Sequence, residues 1–238
     1  LSIFAFLILT VLAAAGIWIL RTALLRNAQD SGISMARNYA SEEQSSLAVY
    51  ETLLSFGAAT VDSRVSEGNS MEELSQWLDL YFERLEAVLG EGTVDPYIVL
   101  NGQLLAANPW DDDISYNAEE TEWYKRTKDS NGETLFTNVY TDAIYNKPVI
   151  TVSKKCLYAD AVIAFDIFPE NFHFQFDTSG FDKGNSYYLC DSAGTLIYQY
   201  TELGLSEANI QSYINRLLEN IRSGSLDEYD SYIIDIEG

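Results

Sequence analysis

The chain has 238 residues, 36 acidic and 14 basic, with a formal net charge of -22 at pH 7, one His, two Cys and four Pro. The acidic excess excludes a nucleic-acid surface, which needs clustered Lys and Arg to replace phosphate counterions. So few His and Cys argue against a zinc site, a disulfide framework or the usual Ser-His-Asp triad, and the length suits one large domain or two small ones.

Residues 1–20, LSIFAFLILTVLAAAGIWIL, carry no charge, and only Ser2 and Thr10 are clearly polar. About 20 such residues at ~1.5 Å rise cross a hydrocarbon layer of ~30 Å. A soluble core helix of that length keeps a polar face, and the apolar part of a signal peptide is shorter, roughly 7–15 residues. The segment is expected to be an uncleaved membrane anchor. Arg21 and Arg26 would hold the following flank in the cytoplasm by charge bias, but long domains translocate largely regardless of charge. The chain opens on Leu1 and stops at Gly238 after an apolar run from Tyr232 to Ile236, so it is expected to be a piece of a longer protein.

From residue 27 to 67 there is no Pro, and Ala36, Ala40, Leu47, Tyr50, Leu54, Gly57 and Val61 recur at helical spacing, interrupted by Glu43. This predicts one long amphipathic helix, a core-packing element able to act as a rigid rod. Ser70 and Glu73 have capping-box spacing, and Leu74, Trp77, Leu78, Tyr81, Leu85 and Val88 follow on one face, so a second helix should end near Gly90 or Gly92. The period then becomes strand-like. Tyr97 to Leu100, Asn101-Gly102 and Gln103 to Ala107 predict a hairpin. After an acidic loop, Asp111 to Asp113, come a short helix around Glu119 to Lys128 and strands near Leu135 to Tyr140, Pro148 to Leu157 and Ala161 to Phe168. Five antiparallel strands with helices gathered alongside give an α+β module over 70–168.

A second aromatic strand, tight turn and strand recur about 90 residues later, at Tyr187 to Cys190, Asp191 to Gly194 and Thr195 to Tyr198, which suggests an internal repeat. A helix with Ile210, Tyr213, Ile214, Leu217, Leu218 and Ile221 on one face should end before Gly224, and a strand is expected at 232–236. The second module, 169–238, reads as incomplete.

With these elements in order, the chain resembles the double Cache extracellular sensor domains of bacterial membrane receptors. The resemblance covers a membrane helix (1–20), a long helix (27–67), a membrane-distal PAS-like module (70–168) and the start of a membrane-proximal one. Its most specific stretch holds Tyr116, Trp123-Tyr124, Tyr140-Thr141-Asp142 and Asp166. Family members that bind amino acids place an Arg two residues before the Trp, where this chain has Thr121. That Arg would grip a ligand carboxylate through a bidentate, charge-assisted pair.

The resemblance therefore implies a ligand site of Tyr116, Thr121, Trp123, Tyr124, Tyr140, Asp142 and Asp166, with carboxylates for an ammonium and aromatic faces for a cation. A small amine is expected, or an amino acid if Lys125 or Arg126 replaces the missing Arg. Trp123 and Tyr124 also fit a core anchor, and Asp142 also fits a turn cap before Asn146. Asp166, in the middle of an apolar strand, is costly without a partner. The run Asp111 to Asp113 lacks the spacing of a calcium loop and reads as solvated. No metal or cofactor is expected, and His173 reads as a linker residue. Cys156 and Cys190 fall in different modules, either paired or free.

The function expected is the extracellular ligand-sensing region of a signalling receptor in the plasma membrane, with residues beyond about 27 outside the cell. Its output, a histidine kinase of plain or hybrid type, or else a diguanylate cyclase or a chemotaxis transducer, would lie in a cytoplasmic domain that the resemblance implies. A parallel homodimer is expected, with its seam along Ala36 to Val61. A structural spacer and a surface hydrolase using Asp142 and Asp166 are the competing classes.

Overall fold

The computed structural model describes residues 2–110, 116–142, 146–168, 186–201 and 204–224. The run Asp111 to Asp113, His173 and the strand expected at 232–236 lie outside them. The chain divides into two compact units, Leu1–Ser45 with Leu217–Gly238, and Ser46–Arg216. Helix α1 (Ser2–Ser66) joins the expected membrane segment and the expected 27–67 helix without a break, as a stretch free of Pro allows. Its opening stretch is long and apolar enough to cross a membrane, with Phe4 and Trp18 exposed.

In the second unit α1 buries Tyr50, Leu54, Ala58 and Val61, the i, i+4, i+8, i+11 stripe of a helix packed on a core. This corrects the expected dimer seam: Tyr50, Leu54 and Val61 are buried within the protomer, whereas Ala36 and Ala40 are exposed. Helix α2 (Met71–Leu89) packs beside it through Leu74, Leu78, Tyr81, Leu85 and Leu89. Its start is the expected capping box, with the Ser70 N–H donating to Glu73 Oε2 at 2.7 Å and Glu73 N–H to Ser70 Oγ at 3.3 Å. Those bonds hold the Glu73 carboxyl below its ordinary pKa. The Tyr81 hydroxyl donates to Leu53 O of α1 at 2.7 Å. Gly57 permits the approach of α1, since a Cβ there would stand 2.7 Å from Ile163 Cδ1 and 2.9 Å from the Tyr81 hydroxyl.

The sheet has six antiparallel strands rather than five. They are β1 (Val94–Leu100), β2 (Gln103–Ala106), β3 (Thr134–Phe136), β4 (Tyr140–Thr141), β5 (Pro148–Lys155) and β6 (Ala161–Ile167). The order is β2-β1-β6-β5-β3, with β4 also paired to β5. Asn101 and Gly102 both take positive φ, 51° and 79°, as a two-residue primed turn requires. The strand expected over Leu135 to Tyr140 is broken at residues 137–139, where Thr137 Oγ1 accepts from Thr151 N–H at 2.9 Å.

Strand β6 lies between β1 and β5 and is buried at all seven positions. Alternation sends Ile163, Phe165 and Ile167 toward α1 and α2. Val162 and Ala164 take the other face, with Val99, Ala118, Trp123 and Tyr124. That face is covered by helix α3 (Glu122–Asp129), pinned to β5 by the Thr127 and Ser153 hydroxyls at 2.6 Å.

The turn between β5 and β6 is gripped from α1. The buried Asp62 carboxylate accepts from Leu157 N–H at 2.8 Å, Tyr158 N–H at 3.0 Å and Ala159 N–H at 2.7 Å. Beside it the Cys156 thiol reaches Ala58 O at 3.6 Å, and burial, then the Asp62 charge, push its pKa up to about 12. On the α3 side Lys128 pairs with Asp160 of the same turn.

The second hairpin, β7 (Tyr187–Cys190) and β8 (Leu196–Tyr200), precedes helix α4 (Glu207–Arg222). Leu189 and Ile197 pack on the main core. Cys156 and Cys190 are free thiols.

Asp62→Ala is expected to lower stability by roughly 2–4 kcal/mol, because it strips a charged acceptor from three amides. Asp160→Ala, at an exposed ion pair, should cost under about 1 kcal/mol. Urea unfolding of both variants checks this, and equal losses would contradict it.

Candidate functional site

Asp166 sits on the α3-facing side of β6, in register with Thr151 of β5 and Asp95 of β1. Its Oδ1 accepts from Thr151 Oγ1 at 2.6 Å and from the Tyr97 hydroxyl at 3.0 Å. The Thr151 proton is therefore committed to Asp166, so the Tyr140 hydroxyl, 2.7 Å from Thr151 Oγ1, is the donor of that pair. The result is a chain of bonds from Tyr140 through Thr151 to Asp166, met from the other side by Tyr97. Among the described residues Asp166 Oδ2 takes no hydrogen bond.

Burial raises the Asp166 carboxyl to about 7, against the pull of the Thr151 and Tyr97 bonds. Burial first, and the Asp166 charge second, push the Tyr97 and Tyr140 phenols above their ordinary range. Near neutral pH the site thus holds a carboxyl poised between its two forms.

Tyr140 also faces a cavity of about 450 Å³. One wall comes from α3 and the residue before it, Thr121, Trp123 and Arg126; the other is the segment from Thr137 to Asp142. Of the residues expected from sequence, Tyr116, Thr121, Trp123, Tyr140 and Asp142 line this cavity together. Asp166 does not line it and is linked to it through Tyr140 and Thr151.

Tyr124 stands apart from the cavity. Both rings belong to the buried cluster with Val162 and Ala164 and meet edge-on, centres 5.7 Å apart, but only Trp123 lines the cavity, and Tyr124 has Lys128 Nζ 5.8 Å from its ring centre. Thr121 caps α3, accepting from Tyr124 N–H at 3.3 Å and donating to Ala118 O at 2.6 Å, so its one hydroxyl proton is committed to the cap. At Asp142 the turn is closed by backbone bonds, Asp142 N–H to Lys147 O at 2.8 Å and Asn146 N–H to Asp142 O at 3.1 Å. Its side chain is buried and lines the cavity.

Sequence reading missed Tyr97, Thr151 and residues 137–139. Tyr97 also packs edge-on against Trp123, ring centres 5.4 Å apart. Its placement follows from strand alternation once β1 is paired with β6. The 137–139 wall is tied to the second hairpin, since Val139 N–H donates to Asp191 Oδ2 at 3.0 Å and Ser192 Oγ to Asn138 Oδ1 at 2.9 Å.

No protein-family model matches the chain, and no curated protein matches it. Solved structures do. The ligand-binding domain of the Campylobacter jejuni chemoreceptor Tlp3, in complex with 4-methylisoleucine, aligns with TM-score 0.53 and 17% identity over 70% of this chain and 70% of that one. The same domain with L-valine gives 0.52 and 18% over 72% and 74%. The ligand-binding domain of the Pseudomonas aeruginosa chemoreceptor PctB, in complex with L-Gln, gives 0.50 and 18% over 66% and 62%. The fold is that of these sensor domains, the Cache-type α+β fold expected from the sequence.

A carboxyl raised from 3.8 to about 7 is protonated in the folded state over a pH range where the unfolded chain has lost that proton. Its contribution to stability is complete below the unfolded pKa and is lost as pH rises through the folded one. Asp166→Asn should therefore gain on the wild type between pH 5 and pH 8, by roughly 2–4 kcal/mol at the upper end. Urea titrations at the two pH values check this, and a difference unchanged between them would contradict it.

Proposed function

We propose that the chain is the extracellular sensory region of a membrane signalling receptor and binds a small amine or amino-acid-like ligand in the cavity between α3 and β4. The opening stretch of α1 acts as the membrane anchor, and the module beyond about residue 27 lies outside the cell. The observation that carries the reading is the pairing of a cavity-lining carboxylate, Asp142, with aromatic walls and a buried carboxyl behind them. Cations gain about 0.5–2 kcal/mol from an aromatic face. A positive charge near Asp166 also favours its ionised form.

The shared fold with chemoreceptor sensor domains supports a sensing role. The proposed output is a histidine kinase, with a chemotaxis transducer as the alternative that those neighbours' names favour. The cavity would report through its walls, one tied to the second hairpin by Asp191, the other to the β5–β6 turn through Lys128 of α3. Signalling further requires that the ligand bind two arrangements of these ties with different affinity.

Differential scanning fluorimetry of the full chain in lipid nanodiscs, against primary amines, tetramethylammonium and amino acids, tests the reading. At least one cation should raise the melting temperature, and Asp142→Asn should weaken its binding about tenfold or more. A flat screen across every cation would contradict it.

A further inference from the structure

We propose that Asp191 of the second hairpin is the positioning residue of the 137–142 cavity wall, and that α4 acts on the cavity through it. Its role in ligand binding rests on the cation reading above, whereas its hold on the wall does not.

The wall is an irregularity in the sheet edge. Phe136 pairs with Val152 and Tyr140 with Val149, so three residues, 137–139, oppose two, Ile150 and Thr151. One residue in excess is a β-bulge, which re-aims side chains and takes backbone groups out of the ladder. Thr137 regains β5 by two bonds, its N–H donating to Thr151 O and its Oγ1 accepting from Thr151 N–H, both at 2.9 Å. The partly buried Val139 N–H finds its acceptor outside the sheet, in Asp191 Oδ2 at 3.0 Å. A buried amide without an acceptor is costly, so Asp191 fixes where the bulge closes, one residue before Tyr140 of the cavity.

Asp191 is itself held in place. Its Oδ1 accepts from Ala193 N–H at 2.9 Å and Thr195 N–H at 2.8 Å. Helix α4 grips the same turn, with Gln211 Oε1 accepting from Leu196 N–H at 3.2 Å while its Nε2 donates to Gly194 O. Bonds from side chain to backbone thus lead from Gln211 to the cavity wall, and neither Gln211 nor Asp191 is among the described residues that line the cavity. A shift of α4 that draws the turn along moves Val139 with it, and by reciprocity a ligand that sets the wall biases α4.

Asp191→Asn separates the turn from the wall. The Asn oxygen can keep the two turn bonds, which leaves its NH2, a donor, against the Val139 N–H. Hydrogen exchange of the full chain in nanodiscs should then quicken at 137–142 by about tenfold or more, while 193–196 stay within about twofold. Gln211→Ala should quicken 137–142 by about threefold, yet add nothing in the Asp191→Asn background, because both act by one route. A thermal scan verifies that the variants fold. Wild-type exchange at 137–142 in Asp191→Asn would overturn the positioning role. No effect of Gln211→Ala, or effects that add, would overturn the link to α4. Isobutylamine and tetramethylammonium, titrated calorimetrically, serve as probes of binding, and at least one should bind Asp191→Asn about tenfold more weakly than the wild type. Unchanged affinity would overturn the role in binding; failure of both probes to bind the wild type would count against the cation reading, with the hold on the wall decided by exchange.

Discussion

Strand β6 is covered on both faces, by α1 and α2 on one side and α3 on the other. A strand buried on two sides ordinarily carries an unbroken apolar run, and Ala161 to Phe165 conforms. Asp166 does not, and a buried carboxyl needs partners to be tolerated. Thr151 and Tyr97, one from each neighbouring strand, supply them. On the opposite face Ile163, Phe165 and Ile167 carry the apolar core with α1 and α2, and the missing side chain of Gly57 lets α1 reach Ile163. The cavity is the space left where α3 meets the broken edge of the sheet at residues 137–139.

The same architecture ties the cavity to its surroundings by directed bonds. Asp62 on α1 holds three amides of the β5–β6 turn, whose outgoing strand carries Asp166. Lys128 on α3 holds that turn through Asp160. The Thr137 to Asp142 wall is joined to the next hairpin through Asp191 and Ser192. Packed elements shift between discrete arrangements rather than deforming continuously, so bonds of this kind are where ligand-dependent differences between arrangements would register.

Much of this was legible from residue patterns. The Ser70 capping box, the Asn101-Gly102 turn and the apolar run of β6 are local signals, and each element formed where those signals stood. The odd carboxylate in β6 marked the site because its burial is costly whatever the topology. What escaped depended on tertiary register. Asp62 stands beside Val61 on a helical stripe, and nothing local says that its carboxylate turns toward a loop far along the chain. Thr151 and Tyr97 could be matched to Asp166 only after β1, β5 and β6 were paired. Trp123 and Tyr124 are alike in sequence and share one buried cluster, yet only Trp123 lines the cavity while Tyr124 meets Lys128. The stripe from Ala36 to Val61 read as one surface, whereas Tyr50, Leu54 and Val61 are spent within the protomer.

A cation bound in the cavity is expected to draw charge onto Asp166, which the Tyr140–Thr151 chain links to the cavity wall. The most direct measurement is the number of protons released on binding, obtained by calorimetry of one binding amine or amino acid in buffers of different ionisation enthalpy. With the free carboxyl titrating at about 7, close to one proton should leave per ligand at pH 6, almost none at pH 8.5, and none at either pH in Asp166→Asn. Binding with no proton release at pH 6 in the wild-type chain would contradict the account.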